Sequence, residues 1–386
     1  NDTFPLWYNQ ETEGVRTDAR VCNLSYLQTD WYIDQMRRPA YDSPSLPISW
    51  TRLQYVTGTR EGIPVQPDAL QQVIDYYKDS PEDLKQMLGD NPYELKNIIR
   101  HWVLNDNPDL QIFPTDSIVV TVDKEAVKRS GMMIAADSIP DVMHISLKGK
   151  RAIYKSEMMM LEMISQANWE RPLYMSTTVG PDNYGHLGDN FVQEGLACRI
   201  TPFDTKQSGR TIDSERMYNN MMNKFKYGGL KENPDIYLDE TVIRMCYTHR
   251  RLFNQLAQQL LKEGQKDKAL KVLQRAEEEI PGSIVPHEAF YGHSLELADA
   301  WLALGHKAEA EKLLNAVGQN AREYIEWYLS LNTQRLLQSS RECLMQIYIL
   351  NDIAKTWEPI DKKKAETYRM EVNNYASRCH QRGMSL

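Results

Sequence analysis

Apolar and polar positions change their spacing twice along this chain. Phe4, Leu6, Trp7 and Tyr8 make an apolar first turn, Pro5 sits where a missing N–H does no harm, and Gly14 offers a stop, which predicts a helix at the start. From Arg20 to Tyr26 the period drops to two, with Cys22, Leu24 and Tyr26 on one face, the mark of a strand. Thr29 or Asp30 then caps a helix over Asp30–Arg37, and Pro39 ends it. Pro39, Pro44, Pro47, Pro64 and Pro67 punctuate residues 39–67, so an irregular excursion is expected there, with a short strand near Arg52–Val56.

Three helices follow: Ala69–Lys78 after Asp68, a second opened by Ser80–Pro81 and stopped at Gly89, and a third from Asn91–Pro92 to Val103. Ser117–Asp123 and Val142–Leu147 read as strands, Ser156–Ala167 as a helix with Met159, Met160, Met163 and Ile164 at core spacing, and Pro172–Ser176 and Gly195–Thr201 as further strands. Strands interleaved with helices predict an α/β domain over 1–213 built on a Rossmann-like, mostly parallel sheet. The strand that should feed the first helix is expected upstream of Asn1, so the chain reads as a piece of something longer.

From Ser214 onward only the helical period remains. Leu256-Ala257, Leu260, Gly264, Ala269, Leu273 and Ala276 recur as Leu297-Ala298, Trp301, Gly305, Ala310, Leu314 and Val317, 41 residues later. Small residues allow close helix approach and the glycines allow tight turns, so a tetratricopeptide-like helical repeat domain is expected over 214–386. A degenerate third pair is expected at Arg335–Lys355 and Asp361–Cys379. The predicted fold class is therefore α/β followed by all-α.

Composition narrows the function classes. With 386 residues, 41% hydrophobic and 25% charged, two globular domains are expected. No apolar run approaches the ~18–20 residues that span a bilayer. A net charge of −8 argues against nucleic acid as a partner. Cys22, Cys198, Cys246, Cys343 and Cys379 are sparse, with no CxxC or Cys/His ligand spacing, so neither structural zinc nor a disulfide framework is expected.

The opening stretch, NDTFPLWYNQETEGVRTDARVCNLSYLQTDWYIDQM, together with Leu147–Gly149, NWERPLYM at Asn168–Met175, Glu194–Gly195 and the repeats after Tyr247, resembles the C-terminal part of a family of bacterial multi-pass membrane proteins related to protein O-mannosyltransferases. The resemblance implies a GT-C-like parent, with its membrane domain upstream, that takes a sugar from a lipid-phosphate carrier on the non-cytoplasmic side. It also implies that the catalytic acid lies in that membrane domain, so no catalytic residue is carried over to this chain.

For an open parallel sheet, ligands gather at the carboxyl ends of strands. That places Asp2, Thr3, Thr29, Asp30, Thr177 and Thr178 at a candidate ligand site, with Trp7, Trp31 and Tyr32 as flat surfaces for a sugar. The alternative, that Asp2, Thr3, Thr29 and Asp30 are only helix caps and the aromatics are core, is the better supported of the two. The Gly-rich Tyr184–Asn190 stretch reads as a mobile lid or as a plain loop. Gly58–Gly62 reads as a turn rather than a phosphate loop, and no GxGxxG, GxxxxGK[ST] or Gly-x-Ser-x-Gly occurs. Glu157, Glu162 and Glu170 invite comparison with a glycosidase pair, but residues of this kind usually lie on solvated helix faces. His249, His287 and His293 lack ligand spacing. On the repeats, Tyr291, Trp301, Tyr324, Trp327 and Tyr328 offer a partner surface or simply pack the interior.

The reading with most support is a non-catalytic, extracytoplasmic domain, at the periplasmic face of the inner membrane. It would position acceptor protein or lipid-linked donor for its own upstream membrane enzyme, without cofactor or metal. The alternative is a repeat-based scaffold with a structural first domain. A self-contained carbohydrate hydrolase or transferase ranks last.

Overall fold

The computed structural model describes residues 3–132 and 138–384. The chain divides into two compact units, Asn1–Asp213 and Ser214–Leu386. The first contains α1 (Thr3–Glu11), α2 (Asp30–Met36), α3 (Arg52–Tyr55), β1 (Gly62–Pro64), α4 (Ala69–Tyr76), α5 (Pro81–Leu88) and α6 (Leu95–Ile98). It continues with β2 (Ser117–Thr121), α7 (Lys124–Arg129), β3 (Val142–Ser146), β4 (Ala152–Tyr154), α8 (Lys155–Ala167), β5 (Tyr174–Ser176), β6 (Phe191–Gln193), β7 (Ala197–Ile200) and α9 (Thr205–Ser208).

The expected Rossmann-like parallel sheet is not there. Among the described residues the strands form three small separate sheets, β1–β4, β2–β3 and β5–β7–β6, and every strand pair is antiparallel. The residue pattern gives the reason. A parallel strand covered by helices on both faces is apolar almost throughout. In β2 only Ile118 and Val120 are buried, and in β3 only Met143 and Ile145, while Ser117, His144 and Ser146 face outward. That is the alternation of a ribbon with one wet face.

Two other expected strands also change. Arg20–Tyr26 is irregular and runs into a 3-10 turn at Tyr26–Gln28. Cys22, Leu24 and Tyr26 still pack against the core, but the Asn23 side chain accepts from the Tyr26 N–H (3.2 Å) and donates to Thr3 Oγ1 (3.0 Å), which bends the chain out of extension. Residues 52–55 are helical because Thr51-x-x-Gln54 is a helix start: the Thr51 N–H donates to Gln54 Oε1 at 2.8 Å.

Helix α8 is the centre of this unit. Every residue from Met158 to Ser165 is buried, so it is apolar on all sides, as a core helix should be. Its Met, Leu and Ile side chains each contribute about 1.5–3 kcal/mol of burial. Trp50, Tyr55, Phe113 and Tyr32 fill the same core. The one charge within this run, Glu162, is fully buried and accepts from Ser49 N–H (2.8 Å) and Ser49 Oγ (2.6 Å). Helices α4 and α5 form a satellite cluster, in which Leu70 and Leu88 pack with Trp102 and Ile112, whereas Leu95 and Ile98 of α6 join the main core.

The second unit is helical: α10 (Ser214–Asn219), α11 (Glu240–Lys262), α12 (Lys266–Glu279), α13 (Ser294–Ala303), α14 (Lys307–Ser330), α15 (Thr333–Gln338), α16 (Ser340–Trp357) and α17 (Lys362–Gln381). Gly264 and Gly305, at φ of +74° and +82°, make the turns of the α11–α12 and α13–α14 hairpins. Leu256, Ala257, Leu260, Ala269 and Leu273 are buried, as are Leu297, Ala298, Trp301, Ala310 and Leu314. Arg250 is buried as well, and donates to the carbonyls of Ile280 (3.0 Å), Val285 (2.8 Å) and Pro286 (3.0 Å), stitching the loop after α12 onto α11.

Candidate functional site

The residues expected to form a ligand site do not line a cleft. Asp2 lies outside the described residues. Thr3 starts α1 and accepts from Asn23. Trp7 is half-buried against the core. Thr29 occupies the cap position of α2, but its hydroxyl donates back to the Tyr26 carbonyl (2.7 Å). Asp30 accepts from the Thr57 N–H (3.4 Å) and faces Arg52 at 3.6 Å; that backbone bond holds its carboxyl below the usual range. Tyr32 is fully buried with its hydroxyl accepting from the Asn23 N–H, and Trp31 stacks edgewise on it at 5.4 Å while remaining exposed. Thr177 donates to the Leu196 carbonyl, and Thr178 bonds Ser176. These side chains tie loops together.

The partner residues also separate. Trp301 is core, tilted against the His306 ring at 5.4 Å. Tyr291, Tyr324 and Trp327 are exposed, and Tyr328 packs on Trp327 at 4.8 Å. The histidines stay apart: His249 lies among Phe225 and Tyr227, His287 against Glu277 at 3.3 Å, and His293 against Glu296 at 3.2 Å. Among the described residues no group of three or more His, Cys, Asp or Glu could hold a metal ion. Gly58–Gly62 is a turn whose Arg60 donates to the Val103 and Asn105 carbonyls.

A cleft of about 1220 Å³ opens elsewhere in the first unit. Its walls are the outer face of the β2–β3 ribbon, the 181–190 segment and residues 202–210 around α9, with Lys150 from the turn before β4 and Glu157 at the start of α8. The Tyr184–Asn190 loop is thus a wall of a cleft, and it is anchored there. Tyr184 packs on Phe191 at 4.9 Å, and Gly185 (φ +57°) lies so close to α8 that a Cβ would meet Met160 Cε at 2.8 Å.

The glutamates expected on solvated faces divide. Glu170 is exposed, but Glu162 is closed off by Ser49, and Glu157 is buried beside the cleft with Lys150 Nζ at 2.9 Å. The two buried carboxylates meet different partners and form no glycosidase pair. His186 shares the cleft with Glu157. It adopts a left-handed backbone (φ +64°), which orients its ring from a strained turn. Burial and the Lys150 charge hold its imidazole below the ordinary value, against the pull of Glu157 and of a bond to the Ser146 main chain. Its buried Nε2 has no protein partner, and it accepts in the tautomer that carries the proton on Nδ1.

Asn190, also buried at the cleft, repeats the arrangement. Its Nδ2 donates to the Phe203 carbonyl (3.1 Å), which fixes the amide orientation, and its Oδ1 has no partner. The Asn190 backbone is held by Thr201 through both N–H (2.9 Å) and Oγ1 (3.1 Å). Three of the five carboxylates that line the cleft have cations: Glu157 has Lys150, Asp141 has Lys124 (2.6 Å), and Asp189 has Lys206 (3.9 Å). Two buried atoms of the lining residues, His186 Nε2 and Asn190 Oδ1, have no protein partner. Sequence reading had pointed to the glycine-rich loop but not to its neighbours, which come from three stretches far apart in the chain.

Among the described residues, no helix is long and apolar enough to cross a membrane. No curated protein matches the chain, and no solved structure does. The profile of the family described as TMEM260-associated domain 2 matches residues 1–220, a span that contains the whole cleft. The chain belongs to the TMEM260-associated domain 2 family, and through it is linked to TMEM260-like protein O-mannosyltransferases.

Proposed function

We propose that this chain is the acceptor-recognition part of a TMEM260-like O-mannosyltransferase, acting on the non-cytoplasmic side of the membrane, with glycan transfer performed elsewhere in the parent enzyme. The cleft of the first unit takes a neutral, hydroxyl-bearing group: a Ser/Thr-containing acceptor or the sugar already placed on it. The observation that carries this reading is the pair of buried acceptors without partners, His186 Nε2 and Asn190 Oδ1. A buried acceptor left unmade costs about 1–3 kcal/mol, which a bound hydroxyl donor recovers. The phosphate of a lipid-linked donor has no hydrogen to offer them. The donor is therefore assigned to the membrane part.

Calorimetric titration of the chain tests this. A mannosylated threonine peptide should bind, His186→Ala and Asn190→Ala should each weaken it about tenfold, and mannose 1-phosphate should bind more weakly than the peptide. Tighter binding of mannose 1-phosphate, or affinity indifferent to both substitutions, overturns the reading. The scaffold alternative draws on the exposed Tyr291, Tyr324 and Trp327 of the second unit. It requires that alanine at these positions, and not at His186, abolish acceptor binding.

A further inference from the structure

We propose that Cys343 and Cys379 form an intramolecular disulfide that locks α16 to α17. The two sulfurs lie 3.9 Å apart, and both residues are fully buried. Their position in the hairpin gives the bond a purpose. Residues 358–361 join α16 to α17 at one end. Cys343 is in the first turn of α16 and Cys379 in the last turn of α17, so the pair sits at the opposite, open end. Among the described residues, the polar contacts of Arg378 and Arg382 near that end run to Glu326 and to the Leu329 and Leu331 carbonyls, in and just after α14, and not to α16. A covalent tie here closes a loop of 36 residues, long enough for cross-linking to restrict the unfolded chain substantially.

The sulfurs must approach by about 2 Å to reach the ~2.05 Å bond, a movement on the scale of side-chain rotation. The reaction is thiol–disulfide exchange with a disulfide-bearing oxidant. One cysteine thiolate attacks the oxidant's S–S bond and expels one thiol; the second then displaces the other thiol and closes Sγ–Sγ. Two protons and two electrons leave the cysteines, and the oxidant is reduced to two thiols. Burial pushes the Cys343 thiol up to about 12 and raises Cys379 as well, so thiolate is scarce once the helices are docked. Exchange therefore belongs to folding, before α17 packs, and the finished bond lies out of reach of small reductants.

The test is to refold the full chain in a reduced/oxidised glutathione couple, quench with N-ethylmaleimide and digest without reductant. All five cysteines are free in the present structure, so a reduced chain takes five adducts. The expected result is a loss of two adducts, with Cys343 and Cys379 recovered as one cross-linked peptide pair. Cys343→Ala should regain full alkylation at its remaining thiols. Maleimide on both Cys343 and Cys379, or either one joined to another cysteine or to glutathione, overturns the proposal.

Discussion

The two units bury charge in opposite ways. In the second, Arg250 is sealed off and spends its guanidinium on three carbonyls of one loop. In the first, α8 carries Glu162, sealed by Ser49, and five residues earlier Glu157, which reaches Lys150 at the edge of a cleft. All three side chains are buried and polar. Burial alone therefore does not mark a site. What separates Glu157 is its company: the adjoining His186 Nε2 and Asn190 Oδ1 are left open, whereas around Arg250 and Glu162 the charge meets partners supplied by the fold.

Substitutions should break this comparison in a graded way. Arg250→Met removes three charge-assisted bonds and strands their carbonyls, so urea unfolding followed in the second unit should lose about 3–5 kcal/mol; a loss below about 1 kcal/mol would mean the loop after α12 is held by something else. Glu162→Ala leaves the Ser49 N–H and hydroxyl without their acceptor and should cost the first unit about 2–4 kcal/mol with little effect on the second. Glu157→Gln should behave differently. Stability should change by less than about 1 kcal/mol, since Lys150 can turn to water, while affinity for the mannosylated peptide should fall about tenfold.

Acid should act on the cleft through His186. Its folded value is depressed by burial, so above the ordinary histidine range both folded and unfolded rings are neutral and nothing is gained or lost. As pH falls below about 6.5 the unfolded ring binds its proton first, and stability declines until the folded ring also protonates. Peptide affinity should decline over the lower part of that window, because a protonated Nε2 no longer accepts. Titration of the ring by NMR alongside calorimetry at each pH checks both. His186→Gln should flatten the affinity profile.

The smallest effects are expected where a sugar edge was first sought. Trp31→Ala and Thr178→Ala should leave peptide affinity within about twofold, because neither side chain lines the cleft. Their prominence in the sequence came from a sound pattern placed on the wrong architecture. Asp30 and the threonines do stand at chain turns, but with no parallel sheet there is no row of strand ends to gather them. The periodic elements were legible: the helix at 156–167 and the strands at 117–123 and 142–147 follow directly from spacing. Strand pairing was not legible, since alternation says which face is buried but not which partner supplies the hydrogen bonds. The Thr51-x-x-Gln54 start was overlooked amid prolines, and a strand was expected in its place. The cleft was partly legible, in its glycine-rich wall. Its chemistry was not, because an unpaired Nε2 or Oδ1 is visible only after every nearby hydrogen bond has been assigned.

The most direct test is a crystal structure of the chain with a mannosylated threonine peptide. The account predicts density in the first-unit cleft, with ligand hydroxyls within hydrogen-bond distance of His186 Nε2 and Asn190 Oδ1. Density at Trp31 and Thr177, or on Tyr324 and Trp327 of the second unit with the cleft empty, would contradict it.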